Sequence, residues 1–423
     1  MRLPPRPLVL LGVVAAACAA CATDTIAPAA APARASFDPV LIAKGAQLSA
    51  IGNCQVCHSA ERGKSFAGGR PLETPFGTIY ATNITPEPDT GIGRWPEEAF
   101  RRALREGVDR EGRHLYPAFP YEYYTRLTDE DIRALYAFIM TREPVRAKNR
   151  PNALRPPFNL RALLGIWKGL YFERAAFQPD AARSAQWNRG AYLVNALGHC
   201  SACHTPRNFL GGEEKDRLFS GGEAEGWHGP ALNALLPSLV PWNAGQLFKY
   251  LRTGLDDLHA IAAGPMAPVV HNLAQVPEEE VRAMSVYLET LAGAPSEERR
   301  KNAAAALAQA KGAPPAESRG AEVYAGACAA CHDQGREASS GGALHLALGS
   351  AMTIPTSANL LHITLEGIPA PEGQPGRAMP GFANALTDDQ VKDLMAYIRE
   401  HFGRAPAWTD VDRELAKIRE ERK

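Results

Sequence analysis

Three short motifs constrain this chain more than any other feature: Cys54-Gln-Val-Cys57-His58, Cys200-Ser-Ala-Cys203-His204 and Cys328-Ala-Ala-Cys331-His332. They take in every cysteine except Cys18 and Cys21 near the start. Two thiols at this spacing can form thioethers with the two vinyl groups of a haem, and the histidine that follows then meets the iron from the proximal side. A structural zinc site takes four protein ligands, and three separated pairs with one histidine each divide poorly into such sites. A redox dithiol has no need of the histidine. The motifs therefore predict three covalently bound haem c groups, held by Cys54 and Cys57, Cys200 and Cys203, and Cys328 and Cys331. His58, His204 and His332 are the expected iron ligands.

The motifs lie inside a longer unit that occurs three times. Gly45, Gly190 and Gly320 precede the first cysteine of their motifs by nine, ten and eight residues, and Leu48, Leu193 and Val323 follow them by three. After each motif comes a variable loop, then a short helix expected to end near Gly107, Gly254 or Gly367. A last helix is predicted over 128–140, 277–288 and 387–398. Thr128 and Thr387 open capping boxes with Asp131 and Gln390, and Pro277 suits a first helical turn. Phe138, Tyr287 and Tyr397 occupy one place in this last helix. Glycine facing an aromatic residue lets the first and last helices cross closely. The fold class expected is all-α, three tandem cytochrome c-like haem domains at 38–142, 183–290 and 320–403.

Twelve residues beyond the three helix-ending glycines stand Phe119, Met266 and Met379. A thioether opposite histidine raises a haem's potential, as electron transfer requires, so Met266 and Met379 are the expected sixth ligands. Met140, Met284 and Met395 fall on helix faces and read as core. Phe119 has no lone pair to give, and no methionine occurs between Cys54 and Ile139. His114 is the only other histidine of this first repeat. Two alternatives stay open: His114 ligates the first iron, or that iron is five-coordinate. His199, His228, His259, His271, His345, His362 and His401 are expected to make local hydrogen bonds.

The flanks carry different signals. Arg2 and Arg6 precede an apolar run and then small residues, so residues 1–22 read as a signal peptide and the protein as exported. A lipoprotein anchor at Cys18 or Cys21 is the rival reading. Residues 23–37, rich in Ala and Pro, read as a flexible tether. Residues 143–182 form a linker whose apolar stretch, Leu163 to Phe172, is too short and too charged to span a bilayer. It suits an amphipathic helix on a membrane or a partner protein, or packing between the first two repeats. Residues 291–319 read as a second linker, and 404–423 as a charged tail that forms a solvated helix after Trp408. Forty-six basic residues balance 46 acidic ones over 423 positions. That balance excludes the strongly basic surface of a nucleic-acid binder.

Several longer stretches carry a resemblance. Tyr80-Ala-Thr-Asn-Ile-Thr85, Gly91-Ile-Gly-Arg-Trp95, Leu115-Tyr-Pro-Ala118 and Pro120-Tyr121 belong to the first repeat. Gly190-Ala-Tyr-Leu-Val194 and Cys203-His-Thr-Pro-Arg-Asn208 belong to the second. Through these the chain, from about residue 38 to 403, resembles the triple-haem cytochrome c subunit of bacterial membrane-associated dehydrogenases, the group serving alcohol, aldehyde, gluconate and related sugar oxidation. The resemblance implies a non-catalytic electron-transfer subunit in the periplasm, associated with the inner membrane. Its partner would be a dehydrogenase catalytic subunit of molybdenum, flavin or quinoprotein type, and its acceptor ubiquinone or a terminal oxidase. Many members of that group have methionine where Phe119 stands here. Other readings from different classes are an exported multi-haem peroxidase with an open first haem, and a free-standing carrier.

Overall fold

The computed structural model describes residues 24–309, 317–334, 344, 346–370, 378–403 and 405–422. The signal sequence, Cys18, Cys21, His345 and residues 310–316 of the second linker lie outside the described residues. The described chain divides into two compact units. One runs through Ala181 and includes Tyr192–His199; the other comprises Ala182–Ala191 and Cys200–Lys423. The first expected domain and the linker after it thus belong to one unit, whereas most of the second repeat and all of the third share the other.

In the first unit, Asp38 caps helix α1 (Pro39–Ile51), its side chain accepting from the Val40 N–H, with Pro39 at the first helical position. The short α2 (Cys54–Cys57) carries the first motif. Strands β1 (Pro71–Thr74) and β2 (Gly77–Tyr80) form an antiparallel hairpin. Helix α3 (Glu97–Glu106) ends at Gly107 in left-handed conformation, as the glycine signalled. After α4 (Tyr121–Tyr124), helix α5 (Asp129–Met140) returns across α1. A Cβ on Gly45 would lie 2.0 Å from the Ala134 carbonyl oxygen and 2.7 Å from Phe138 Cβ, so this crossing admits only glycine.

The same crossing recurs twice in the second unit. There α7 (Ala185–Tyr192) meets α11 (Glu278–Ala292), where a Cβ on Gly190 would come within 1.9 Å of the Ala283 oxygen. Likewise α13 (Arg319–Ala327) meets α15 (Asp388–His401), with Gly320 against Asp393 oxygen and Tyr397 Cβ. Between these pairs lie α8 (Ser201–His204), β4 (Gly222–Ala224), β5 (Trp227–Gly229), α9 (Ala244–Thr253), β6 (Leu255–Asp256), β7 (Ala260–Ile261) and α10 (Met266–Leu273). In the third repeat α14 (Ala358–Glu366) precedes α15, and its Leu361 and Leu365 share a core with Val391, Leu394 and Met395. Thr387 forms the expected reciprocal capping box with Gln390. Thr128 caps α5, but its own N–H donates to the Tyr192 hydroxyl, and Asp131 instead accepts from Tyr192 and pairs with Lys44.

Several expectations need correction. The described residues are mainly helical but not purely so: among them β1–β2 joined by β3 (Ala153–Leu154), β4–β5 and β6–β7 form three small antiparallel sheets. Residues 24–37 do not behave as a tether. Ile26 N–H donates to the Arg110 carbonyl, Ala29 N–H to that of Arg94, and Arg110 donates back to the Ile26 carbonyl. The second linker contains α12 (Glu297–Gln309), which buries Ala303 beside Val240 and Leu348 and is tied by Arg299 to the Leu236 and Ser238 carbonyls. The tail is the expected helix, α16 (Val411–Glu421), but it is not wholly solvated: its Leu415 and Ile418 join the third repeat's core. In the linker after the first repeat, α6 (Leu163–Tyr171) buries Leu164 and Lys168 but leaves Leu163, Ile166 and Leu170 exposed. Among the described residues no helix is long and apolar enough to cross a membrane.

Candidate haem-binding sites

The first two motifs lie on short helical turns, Cys54–Cys57 and Ser201–His204, whereas in the third Cys328 closes α13 and a wider π turn follows over Ala330–Gln334. In all three the histidine N–H donates back to the carbonyl of the first cysteine. None of the six described cysteines is in a disulfide. Burial pushes the Cys54 and Cys328 thiols up to about 11 and that of Cys200 to about 12, so they are held as neutral S–H groups. Burial also lowers the affinity of His58 and His204 for a second proton, leaving neutral imidazoles. The proton of each ring is placed by a backbone carbonyl. His58 Nδ1 lies 2.7 Å from Thr82 O, and His204 Nδ1 lies 2.6 Å from Pro230 O. His332 Nδ1 stands 3.4 Å from Leu344 O. An Nδ1–H donated to a carbonyl puts the ring's lone pair on Nε2, the atom an iron would take.

Local folding explains why these carbonyls are there. Thr82 follows the β1–β2 hairpin, and Pro230 follows β4–β5. Close approach is secured by glycines: a Cβ on Gly229 would lie 2.3 Å from the Cys203 carbonyl oxygen. Asn83 and Thr85, which the sequence shows only as Asn-Ile-Thr, are buried and hold the strand beyond Thr82 in place. Asn83 Nδ2 donates to the Val145 carbonyl at 2.8 Å, and Thr85 donates to Asn83 Oδ1 at 2.7 Å. None of these proximal partners was assigned from the sequence. They are backbone carbonyls 24, 26 and 12 residues beyond their histidines, which no residue type marks in the sequence.

On the other side of each site, the helix-ending glycine leads into a hairpin or bridge. Val108 pairs with His114, Leu255 with Ile261, and Ile368 with Met379. In the first two repeats the glycine carbonyl accepts from the residue after the pair: Gly107 from Leu115 and Gly254 from Ala262. Phe119 and Met266 stand five residues beyond His114 and Ile261, Met266 as the first residue of α10. Met379 instead sits within its pair, bonded both ways to Ile368 at 2.9 and 2.8 Å. The twelve-residue spacing therefore joins two different local geometries. Met140, Met284 and Met395 are buried on helices, as core residues should be. The Phe119 ring packs edge-on against Tyr124 at 5.6 Å.

His114 has a more specific setting than its sequence context suggested. Its Nδ1 is 3.1 Å from Lys168 Nζ, and its Nε2 is buried with no hydrogen-bond partner among the described residues. Lys168 Nζ also donates to the carbonyls of Glu106 at 2.6 Å and Gly107 at 2.7 Å, so α6 stitches the end of α3 to His114. Burial pulls the Lys168 ammonium down to about 8. Other histidines make local contacts as expected. His259 bonds Asp256 and the Val240 carbonyl, and His362 bonds Glu366. Among the described residues, no group of three or more His, Cys, Asp or Glu gathers into a metal-ion site.

The comparisons with known proteins agree with this geometry. Residues 42–143 match the family described as cytochrome c, and residues 315–398 match cytochrome C oxidase, cbb3-type, subunit III. The fructose dehydrogenase cytochrome subunit of Gluconobacter japonicus is 36% identical over 90% of this chain and 83% of its own length. The gluconate 2-dehydrogenase cytochrome c subunit of Pantoea cypripedii is 36% identical, over 90% of each chain. This chain belongs to the cytochrome c subunits of dehydrogenases. A nicotinate dehydrogenase subunit of Pseudomonas putida is 46% identical over 93% of this chain, which spans only a third, 33%, of that relative.

Cytochrome c domains carry covalent haem, and the donor set fits it: a cysteine pair whose first thiol is kept protonated by burial, followed by an imidazole whose Nδ1 faces a backbone carbonyl. When bound, the haem supplies a reversible one-electron carrier. What these residues contribute is attachment and a fixed imidazole orientation.

Proposed function

We propose that this cytochrome subunit is a three-haem electron relay. It takes electrons from the catalytic subunit of a dehydrogenase and hands them to ubiquinone or a terminal oxidase, on the periplasmic side of the inner membrane. The observation that carries the reading is the proximal clasp repeated three times, His58 to Thr82, His204 to Pro230 and His332 to Leu344, each beside a glycine–aromatic helix crossing. Met266 and Met379 are proposed as the sixth ligands of the second and third haems.

Phe119 makes the first haem different, since it offers no donor. Ligation by His114 through Nε2 requires the remaining ring proton on Nδ1, and hence a neutral Lys168 amine to accept it. With Lys168 an ammonium, Nδ1 accepts and Nε2 keeps its proton, so His114 would have no lone pair to offer the first iron, the condition a peroxidase would use. The test has two parts. Mass spectrometry of denatured mature protein should show three haem additions, and two or fewer overturns the relay as stated. Electron paramagnetic resonance of His114→Ala should turn the first haem high-spin; an unchanged low-spin signal removes His114 as ligand, and a high-spin signal already present in wild type favours the peroxidase reading.

Membrane association is proposed through α6. Leu163, Ile166 and Leu170 are 40%, 56% and 65% exposed on one face of this helix. The surrounding segment from Arg142 to Arg174 contains eight basic and two acidic residues. An apolar stripe in a basic setting suits an anionic lipid surface.

A further inference from the structure

The strand that delivers Pro230 to His204 is not left to itself. Within the second unit, β5 docks on α14 of the third repeat. Asn359 Oδ1 accepts from the His228 N–H at 2.7 Å, and its Nδ2 donates to the His228 carbonyl at 2.9 Å. One side chain thus completes the strand's edge as a neighbouring strand would. Next to it, the Trp227 indole stacks on the His362 imidazole, with centroids 4.7 Å apart and planes 16° from parallel. His362 is itself buried and steadied by Glu366.

Trp227 has a second neighbour. A Cβ on Gly264 would lie 2.3 Å from the indole, so the turn leading into Met266 lies flat against the ring. Gly264 has a φ of +51°, a conformation that side chains with a Cβ seldom adopt. The indole is therefore held between the loop that presents Met266 and the helix that holds β5. Two residues beyond the carbonyl pair of His228 is Pro230, the proximal acceptor. The far end of α14 continues into the Ile368–Met379 pair, and the Thr364 carbonyl accepts from Phe382 at 2.9 Å.

We propose that Trp227 and Asn359 are positioning residues for the second haem, locking its proximal His204 and its distal Met266 to the third repeat. The inference rests on the reading above that these two residues ligate that haem. Asn359 acts on the proximal side. A carbonyl close to Nδ1–H enriches the imidazole and favours ferric iron, so letting Pro230 drift raises the second haem's potential. Trp227 acts on the distal side. Loss of the ring frees the Gly264 turn, weakens thioether ligation and lowers the potential.

The opposite signs make the test specific. Holoprotein variants Asn359→Leu, Trp227→Ala and Trp227→Phe are compared by spectroelectrochemistry and by the red-edge sulfur-to-iron band, with Met266→Ala marking which haem is the second. Asn359→Leu should raise that haem's midpoint with the band intact. Trp227→Ala should lower the midpoint and weaken the band, and Trp227→Phe, which keeps a stacked ring, should restore both. If midpoint and band are unchanged in Asn359→Leu and Trp227→Ala, the proposal is overturned. Should Trp227→Ala fail to retain haem, Asn359→Leu decides alone, because it removes only two hydrogen bonds at a strand edge. Haem content of the wild type is measured alongside: a wild type without the second haem would overturn the underlying site, not the positioning.

Discussion

Helix α13 contains its own controlled experiment, because two of its glycines meet opposite surroundings. A Cβ on Gly320 would lie 2.2 Å from the Asp393 carbonyl oxygen and 2.7 Å from Tyr397 Cβ, whereas a Cβ on Gly326 would meet nothing within 4 Å. Ordinary contact is about 3.5 Å. Gly320→Ala therefore requires α13 and α15 to separate by more than about 1 Å, or to shear, over a core that includes Leu394 and Met395. Overpacking of this kind costs ~1–3 kcal/mol. Gly326→Ala adds no contact and removes backbone freedom from the unfolded chain, a gain of ~0.5–1 kcal/mol. The same substitution, six residues apart on one helix, is thus expected to differ by ~2–4 kcal/mol and in sign. Guanidinium unfolding followed by circular dichroism measures it. Equal midpoints for the two variants would refute the reasoning that this crossing, and by extension those at Gly45 and Gly190, demands glycine.

Three further outcomes are expected. Met266→Ala and Met379→Ala should each remove part of the red-edge sulfur-to-iron band and lower one haem's potential, whereas Met284→Ala and Met395→Ala should cost stability but keep the band; the absorption spectrum decides. Lys168 is held at about 8 by burial against an ordinary 10.5. The unfolded chain therefore binds a proton that the folded chain releases, so stability rises with pH between about 8 and 10.5 and the gain is lost as pH falls back to 8. Unfolding titrations should show this rise, at most roughly 3 kcal/mol, in wild type but not in Lys168→Met; parallel curves would contradict it. Wild type should sediment with vesicles containing anionic phospholipid, and Ile166→Glu with Leu170→Glu should abolish it. Retained sedimentation, or loss only of dehydrogenase association, would assign the α6 stripe elsewhere.

Much of the site was legible because its chemistry is local. A cysteine pair and its histidine sit within five residues, so one helical turn brings them together whatever the rest of the chain does. The helix-ending glycines, the Thr387 cap and the glycine–aromatic crossing were legible for a related reason: each answers a steric or hydrogen-bonding demand that only a few residue types meet. Counting residues did not show that equal spacings enclose unequal turns. Twelve residues separate Gly254 from Met266 and Gly367 from Met379, but only Met379 is paired directly with the residue after the glycine.

The acceptors of the imidazole protons and the clasp of Asn359 on His228, 131 residues away, are backbone groups positioned by distant segments, so no side-chain pattern announces them. Likewise, the supposed tether, second linker and tail look polar or low in complexity. Their few apolar residues, such as Ala303, Leu415 and Ile418, become core only when a complementary surface exists to cover them. Sequence by itself determined which groups can hold haem, because covalent attachment and axial ligation depend on residue type at short range. Tertiary structure alone decided how each imidazole is oriented and what steadies it, because a backbone carbonyl has the same chemistry in every residue and acquires a role only through its place in space.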